Sequence, residues 1–302
     1  MANYRVKGFG WRKERNDHRD YTPVSQEIQQ IAKSSGCNCG SIIAKAPGMG
    51  QAMPPMKDNR QFCTEVNDQG DLGSCTANAG CSMYEFLNKR HKKKYTKLSR
   101  RFLYKLTRKL MGEEGVGDSG AYIRTTLQAL ALFGVCPEDW FPYDISRFDD
   151  EPDTSSYIYS QSFQATKYFR LDKADTPEDK LAYIKTFIIA EYPIEFGFNV
   201  YQSYKQAFVN GGCFPYPTPN EDIVGGHALM LCGYDDNKVI KNDNDPSGNT
   251  FTQGAFMIQN SWGYDFGELG YGWLPYQYLL KGLADDFWSI TRAEFVDQGQ
   301  FR

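Results

Sequence analysis

"QGDLGSCTANAG", residues 69–80, sets Gly73 and Ser74 directly before Cys75, with Thr76, Ala77 and Asn78 behind it and Gln69 six positions ahead. From Ser74 the pattern turns helical: Cys75, Ala79, Met83 and Leu87 recur every four residues, and Phe86 widens the stripe. Ser74 is the expected N-cap, so Cys75 falls in the first turn. A thiol there lies beside unpaired N–H groups and the positive end of the helix dipole, which lower its pKa, and the thiolate is the form that attacks carbonyl carbon. Gly73 and Ser74 fit a turn that brings backbone close to a substrate. Taken alone, a helix cysteine is a small hydrophobe filling a core, so the chemistry must be read from its company.

A cysteine nucleophile needs a base that also protonates the leaving group, and the chain holds only His18, His91 and His227. His18 lies in a polar stretch and His91 in a lysine run. His227 lies in "VGGHALMLCGYD", where Gly225 and Gly226 leave room beside the imidazole and the following alternation places it on a strand. Asn260, in "FMIQNSWGYDFGELGYGW", ends the next strand and is the candidate to orient that ring. Trp262 beside it is placed to shield the hydrogen bond from water.

Together these segments resemble the papain-like cysteine peptidases (family C1), in a divergent, microbial-type form with an N-terminal extension. The order Gln69, Cys75, His227, Asn260 matches the family's oxyanion-hole glutamine, nucleophile, base and orienting amide, and 152 residues separate Cys75 from His227. "GDSGAYIRTTLQALALFGVCPEDWFPYD" resembles the family's glycine-rich wall followed by a helix, and "NSWG…GYGW" its C-terminal signature; the resemblance spans residues 54 to about 290. It implies an α+β fold of two subdomains, a helical half and an antiparallel sheet or barrel half, with the active-site cleft between them. It also implies endopeptidase hydrolysis of polypeptides through a thioester acyl-enzyme, with no cofactor. Gln69 and the Cys75 N–H would hold the oxyanion. Gly73, Ser74, Gly120, Ala121, Ile123, Gly226, Ala228 and Trp262 are the expected substrate-binding residues. Ile123 and Ala228 would wall a pocket for an apolar or aromatic side chain two residues before the cleaved bond, its floor near Leu280 to Asp285. The family's usual Cys-Gly-Ser-Cys-Trp reads Leu72-Gly73-Ser74-Cys75-Thr76 here, so the disulfide anchored at the position of Leu72 cannot form. A papain-fold peptide binder or acyl transferase without protein hydrolysis is the alternative function.

Outside these motifs the chain divides into three. Residues 1–53 are polar, end in the Gly/Pro-rich "APGMGQAMPPM" region and carry one short helical candidate, Pro23 to Lys33. They stand where a prosegment would stand, yet "GWRKERNDHRDY" lacks the long-helix prosegment pattern. Inhibition by them would need a strand or loop laid over the cleft; a permanent structural strap is the other reading. Residues 54–165 are read as the helical subdomain, with further helices over about 99–111 and 122–133. Residues 166–302 are read as the sheet-rich subdomain. It opens with the strand candidate "ATKYFRL" and a helix capped by Thr176 with Pro177 first and Asp179 third. The strands "PIEFGFNVY", "HALMLCGYD", "GAFMIQNSW" and "YGWLPY" follow.

The 302 residues, 41% hydrophobic and 15% aromatic, suffice for a substantial core, and a net charge of −3 gives no global case for nucleic acid or an anionic membrane. Residues 89–110 hold 11 of the 34 Lys and Arg and no acid. Their leucines and aromatics fall at helical spacing, so a solvated helix face is favoured over a polyanion or nucleic-acid contact. No secretory leader and no stretch of ~18 apolar residues is visible, which makes cytoplasmic the default compartment. Eight cysteines do not space like a disulfide framework or a zinc site, although Cys63, Cys136, Cys213 and Cys232 could pair. Cys37-x-Cys39 with His18 is a weak metal set, and "DNDPSG", Asp243 to Gly248, reads as a hairpin loop because position twelve of a calcium loop would be Gly254.

Overall fold

The alternating segments of the second half pair into one antiparallel sheet. The computed structural model describes residues 8–15, 17–26, 28, 53–165, 167–245, 247, 248 and 250–290, and the backbone of 293–295. Its strands are β1 (Met56–Asp58), β2 (Phe163–Ala165), β3 (Tyr168–Arg170), β4 (Ile194–Tyr201), β5 (Ile223–Lys241), β6 (Phe251–Gln259), β7 (Tyr271–Pro275), β8 (Ala284–Ile290) and β9 (Ala293–Phe295). The sheet runs β3-β8-β4-β5-β6-β7 with β1 added to β5, and β2 pairs separately with β9. The helices are α1 (Cys75–Lys92), α2 (Arg100–Leu110), α3 (Ile123–Leu132), α4 (Thr154–Ser160), α5 (Pro177–Ile189) and α6 (Tyr276–Leu280). This is the expected α+β arrangement, helices in the first half and a large antiparallel sheet in the second.

Helix α1 is buried along nearly its whole length, between α2 and α3 on one side and β5 on the other. Cys75, Met83, Leu87 and Phe86 enter one core with Phe102, Leu127 and Met230, and Phe187, Phe196, Phe198 and Trp262 anchor a second within the sheet half. At α5 the Thr176 side chain accepts from the Asp179 N–H as expected. Ser74 does occupy the N-cap of α1, but its hydroxyl makes no cap bond. It meets the Tyr143 hydroxyl at 2.6 Å instead.

The basic run is exposed at Lys93, Lys94 and Lys109, but its α2 part is not a solvated face. Arg100, Arg101, Lys105 and Arg108 of α2 are all buried. Arg108 and Lys105 pair with Asp149 at 2.7 and 3.3 Å, and Arg100 pairs with Glu138 at 3.3 Å. Arg101 lies over the Phe141 ring at 3.6 Å. Acids some forty residues away and aromatic faces thus neutralise a stretch that looks uncompensated in sequence.

Cys63, Cys75, Cys81, Cys136, Cys213 and Cys232 are all free thiols, so the four named as possible partners form no disulfide. Cys37, Cys39 and most of the Pro23–Lys33 helix candidate lie outside the described residues. Asp245 ties its own loop, accepting from the N–H groups of Ser247 and Thr250 at 2.8 and 2.6 Å, as suits the connection between β5 and β6. Among the described residues no helix is long and apolar enough to cross a membrane, and no cluster of three His, Cys, Asp or Glu could hold a metal ion.

Candidate active site

Three separate elements bring the four sequence-derived groups together. Cys75 opens α1, His227 lies on β5 opposite Phe198 of β4, and Asn260 follows the last residue of β6. Gln69 is joined to the same place through backbone, its N–H donating to Ser261 O at 2.9 Å, while Asp68 bridges to Trp262.

The hydrogen bonds fix the roles of the atoms. Asn260 Oδ1 accepts from the Ser261 N–H at 2.8 Å, so the oxygen of that amide is the atom facing His227 Nε2 at 2.9 Å. Nε2 therefore carries the proton, leaving Nδ1 as a buried acceptor with no hydrogen-bond partner among the described residues. The Trp262 ring stacks on the imidazole, centroids 4.7 Å apart, and His227, Asn260 and Trp262 are all buried. Ser261, which sequence reasoning passed over, has a second task. Its hydroxyl donates to Gln69 Oε1 at 2.6 Å, which turns the Gln69 NH₂ outward. Position 261 follows directly after Asn260, the only signal that could have found it.

Into this site runs the N-terminal extension, in extended conformation. Gly8 N–H donates to Gly70 O, Trp11 N–H to Gly226 O at 3.0 Å and Arg12 N–H to Ala121 O at 3.0 Å, while the Ala121 N–H donates to Gly10 O at 2.7 Å. The Gln69 NH₂ is divided between Leu72 O at 2.8 Å and Gly8 O at 2.9 Å. The Phe9 ring packs edge-on against Trp262 and His227. A Cβ on Gly225 would lie 2.7 Å from Phe9, and one on Gly226 would lie 2.4 Å from Trp11 O. The two glycines thus make room for the extension, not for the imidazole. Outside the cleft, Arg12 meets Glu113 at 2.6 Å, Lys13 meets Asp285 at 2.6 Å, and Arg124 meets Asp17 and Asp20 at 3.2 and 2.6 Å.

Covered in this way, Cys75 and His227 are both neutral. Burial pushes the Cys75 thiol up to about 12, against the pull of the Ala228, Gly10 and Thr76 backbone N–H groups. Burial likewise lowers His227 to about 4, with the Asn260 hydrogen bond acting in the opposite sense. The closed site holds a thiol and an uncharged imidazole.

Of the remaining predicted residues, Gly120 and Ala121 line the extension on one side and Gly226 on the other, while Ile123 and Ala228 are buried in the core that also contains Cys75 and Trp11. Gly73 faces Gly10, and its N–H is held by Asp118 Oδ2 at 2.7 Å. The Ser74 hydroxyl meets the Tyr143 hydroxyl and the Asn78 side chain. The Trp11 side chain reaches past Gly197 to Asp286, one position beyond the floor expected from sequence.

The profile of papain family cysteine proteases matches residues 53–281. A peptidase C1-like protein of Acanthamoeba polyphaga mimivirus is 36% identical over 239 residues, which cover 77% of this chain and 71% of the relative. The crystal structure of xylellain, a cysteine protease from Xylella fastidiosa, superposes with a TM-score of 0.70 at 31% identity, covering 94% of this chain and 96% of that one. The procathepsin B S9 structure from Trypanosoma congolense, at 15% identity, shares the fold with a TM-score of 0.63 over 95% of this chain and 87% of its own. A thiol at a helix start, a histidine on a strand and an amide beside it, on this fold and within this match, make the chain a member of the papain family of cysteine proteases.

Proposed function

We propose that this cysteine peptidase is an endopeptidase held latent by its own N-terminal extension, residues 1–53, with 54–165 and 166–302 as the two halves of the catalytic unit. Cys75 attacks the scissile carbonyl, Gln69 Nε2 and the Cys75 N–H hold the oxyanion, and His227 takes the thiol proton and delivers it to the leaving amine. His227 then activates water against the thioester. Asn260 keeps the imidazole turned so that Nδ1 is the atom available to the thiol.

The observation that carries this reading is the hydrogen bond from Gln69 Nε2 to Gly8 O at 2.9 Å. The donor suited to a developing oxyanion is occupied by a carbonyl of the same chain, while the next residues block the cleft beside Cys75. Both consequences of burial, a protonated thiol and a neutral imidazole, suit a resting state.

Intact mass after incubation with an epoxysuccinyl thiol-protease inhibitor tests it. The full chain should remain unlabelled or label slowly, Gly10→Ala should gain one adduct per chain, and Gly10→Ala with Cys75→Ala should gain none. Rapid stoichiometric labelling of the unaltered chain at Cys75 would show that the extension is no inhibitor. Absence of labelling in both Cys75-containing forms would count against an activated nucleophile.

A further inference from the structure

The Trp11 side chain occupies a hole whose shape and chemistry are both specific. Its backbone is gripped from both walls, by Gly226 O on one side and by the two bonds that Ala121 makes to Gly10 and Arg12 on the other. The indole then passes between two positions where a side chain could not exist. A Cβ on Gly197 would lie 2.0 Å from indole Cε2, and one on Gly226 would lie 2.9 Å from Cε3. At the far end the indole Nε1–H donates to Asp286 Oδ2 at 3.2 Å.

Asp286 reaches that place because the sheet is irregular there. Glu195 of β4 pairs with Trp288 of β8, but Gly197 pairs with Asp285, so β8 carries one residue more than β4 across this interval. Asp286 sits in that bulge with φ of 57°, a left-handed conformation that re-aims its side chain. Its carboxylate is 1% exposed, and its other oxygen lies 3.0 Å from Arg170 Nη2. Arg170 also pairs with Asp172 and Asp285, so the guanidinium facing Asp286 is itself held in place. With Trp11 gone, Oδ2 would lose the indole N–H and, with Glu14, a backbone N–H at 3.3 Å. Water can meet this oxygen in the emptied slot, but a side chain that fills the slot displaces that water, so one that donates in its place is favoured over one that does not.

Resting on the peptidase reading above, we infer that the Trp11 hole is the enzyme's specificity pocket and that it selects substrates with tryptophan two residues before the cleaved bond, Asp286 accepting the indole N–H. Phenylalanine supplies the ring without the donor, and leucine leaves the slot between Gly197 and Gly226 half empty. Arginine supplies donors, but Asp286 already bears a guanidinium on its other oxygen, so a neutral donor is the better match.

Two measurements on the full chain test this. The first needs no substrate: the rate of Cys75 labelling by the epoxysuccinyl inhibitor should rise from wild type to Trp11→Phe to Trp11→Ala, as first the donor and then the ring leave the pocket. In the second, full-length Trp11→Ala is given fluorogenic peptides differing only in tryptophan, phenylalanine, leucine or arginine at the selected position. Tryptophan should exceed phenylalanine in kcat/KM by about tenfold, the worth of one buried hydrogen bond. Asp286→Leu in that background should bring the ratio near one. Gly197→Val, which leaves the Arg170 pairs intact, should depress the tryptophan and phenylalanine substrates while sparing leucine. Phenylalanine or arginine equal to or above tryptophan, or a Gly197→Val enzyme that still prefers tryptophan, would overturn the assignment. Cleavage of none of the four by a chain whose Cys75 labels would instead overturn the peptidase reading, and this inference with it.

Discussion

Gly10 of the extension lies against Gly73 of the nucleophile loop so closely that a Cβ on Gly10 would sit 1.8 Å from Gly73 O. Neither atom can yield: Gly73 is tied to Asp118 through its N–H, and Gly10 O accepts from Ala121. Gly10→Ala should therefore displace the extension while leaving the catalytic groups unaltered. Inhibitor labelling of Cys75 should rise at least about tenfold, because even part of such an overlap costs more than the ~1.4 kcal/mol that a factor of ten represents. Unchanged labelling would mean that the extension does not control access.

Ser261 positions Gln69, and its loss should show in turnover. With the hydroxyl gone, only the bond from the Gln69 NH₂ to Leu72 O still opposes a turn of the amide oxygen toward the cleft, where it would repel an oxyanion. In the Gly10→Ala background, Ser261→Ala should lower kcat about 10- to 100-fold with a smaller change in KM, the pattern of a weakened transition-state donor. Ser261→Thr, which keeps the hydroxyl, should recover part of the loss. Equal losses in Thr and Ala would indicate packing instead.

Thiol reactivity should change its pH profile when the extension leaves. In the closed state burial pushes the Cys75 thiol up to about 12, so its thiolate should be scarce at neutral pH and increase with rising pH without a plateau below pH 9. Opening exposes the thiol to water and lets His227, held neutral by burial down to about pH 4, take its proton. Alkylation of Cys75, followed by peptide mapping, should thus climb steadily with pH in the wild type. In Gly10→Ala it should already level off near neutrality. Identical profiles would place the resting thiol outside the extension's influence.

The sequence carried those parts of the site that depend on local periodicity and spacing. The four-residue recurrence from Cys75 puts that thiol at a helix start, and the alternation after His227 puts the imidazole on a strand, both of which the fold shows. What escaped depends on partners distant in the chain. Gly225 and Gly226 read as space for the imidazole because nothing nearby indicates that Phe9 and Trp11, more than two hundred residues earlier, fill that space. The arginines of α2 read as solvated because Glu138 and Asp149 reach them only through the fold. Asp286 lies one position beyond the stretch expected to form the pocket floor, in a bulge with left-handed backbone where alternation no longer assigns a side chain's direction.

Arg124 ties the extension down outside the cleft, with Glu14, Asp17 and Asp20 at 3.8, 3.2 and 2.6 Å. The Glu14 and Asp17 pairs are partly exposed and each worth little, but the Asp20 side chain is buried, and three acids on one guanidinium form a network. Arg124→Ala should raise Cys75 labelling by about three- to tenfold at low ionic strength, corresponding to one or two such pairs. In the wild type, raising salt from about 0.05 to 0.5 M should itself speed labelling, since screening then acts within the range of these contacts. The variant should respond less. If wild type and variant respond equally to salt, Arg124 is not the electrostatic tie.

Glu195, on β4 beneath Gly80 of α1, is fully buried, and neither carboxyl oxygen has a hydrogen-bond partner among the described residues. Burial, reinforced by Asp286, pushes its pKa well above the ordinary value of 4.5. The folded state therefore holds this proton at pH values where the unfolded chain has released it. Such a group contributes its full stability below about pH 4.5, and that contribution is lost as pH rises toward the folded pKa. Glu195→Gln cannot ionise and should remove that part of the decline. Between about pH 5 and 8 the melting temperature of the wild type should fall relative to that of the variant, the two converging at the acid end. Glu195→Leu, which also removes the unpartnered polar atoms, should gain on the order of 1–3 kcal/mol at neutral pH. A wild-type melting temperature that rises relative to Glu195→Gln over the same interval would mean that the carboxyl is ionised and paired in the fold.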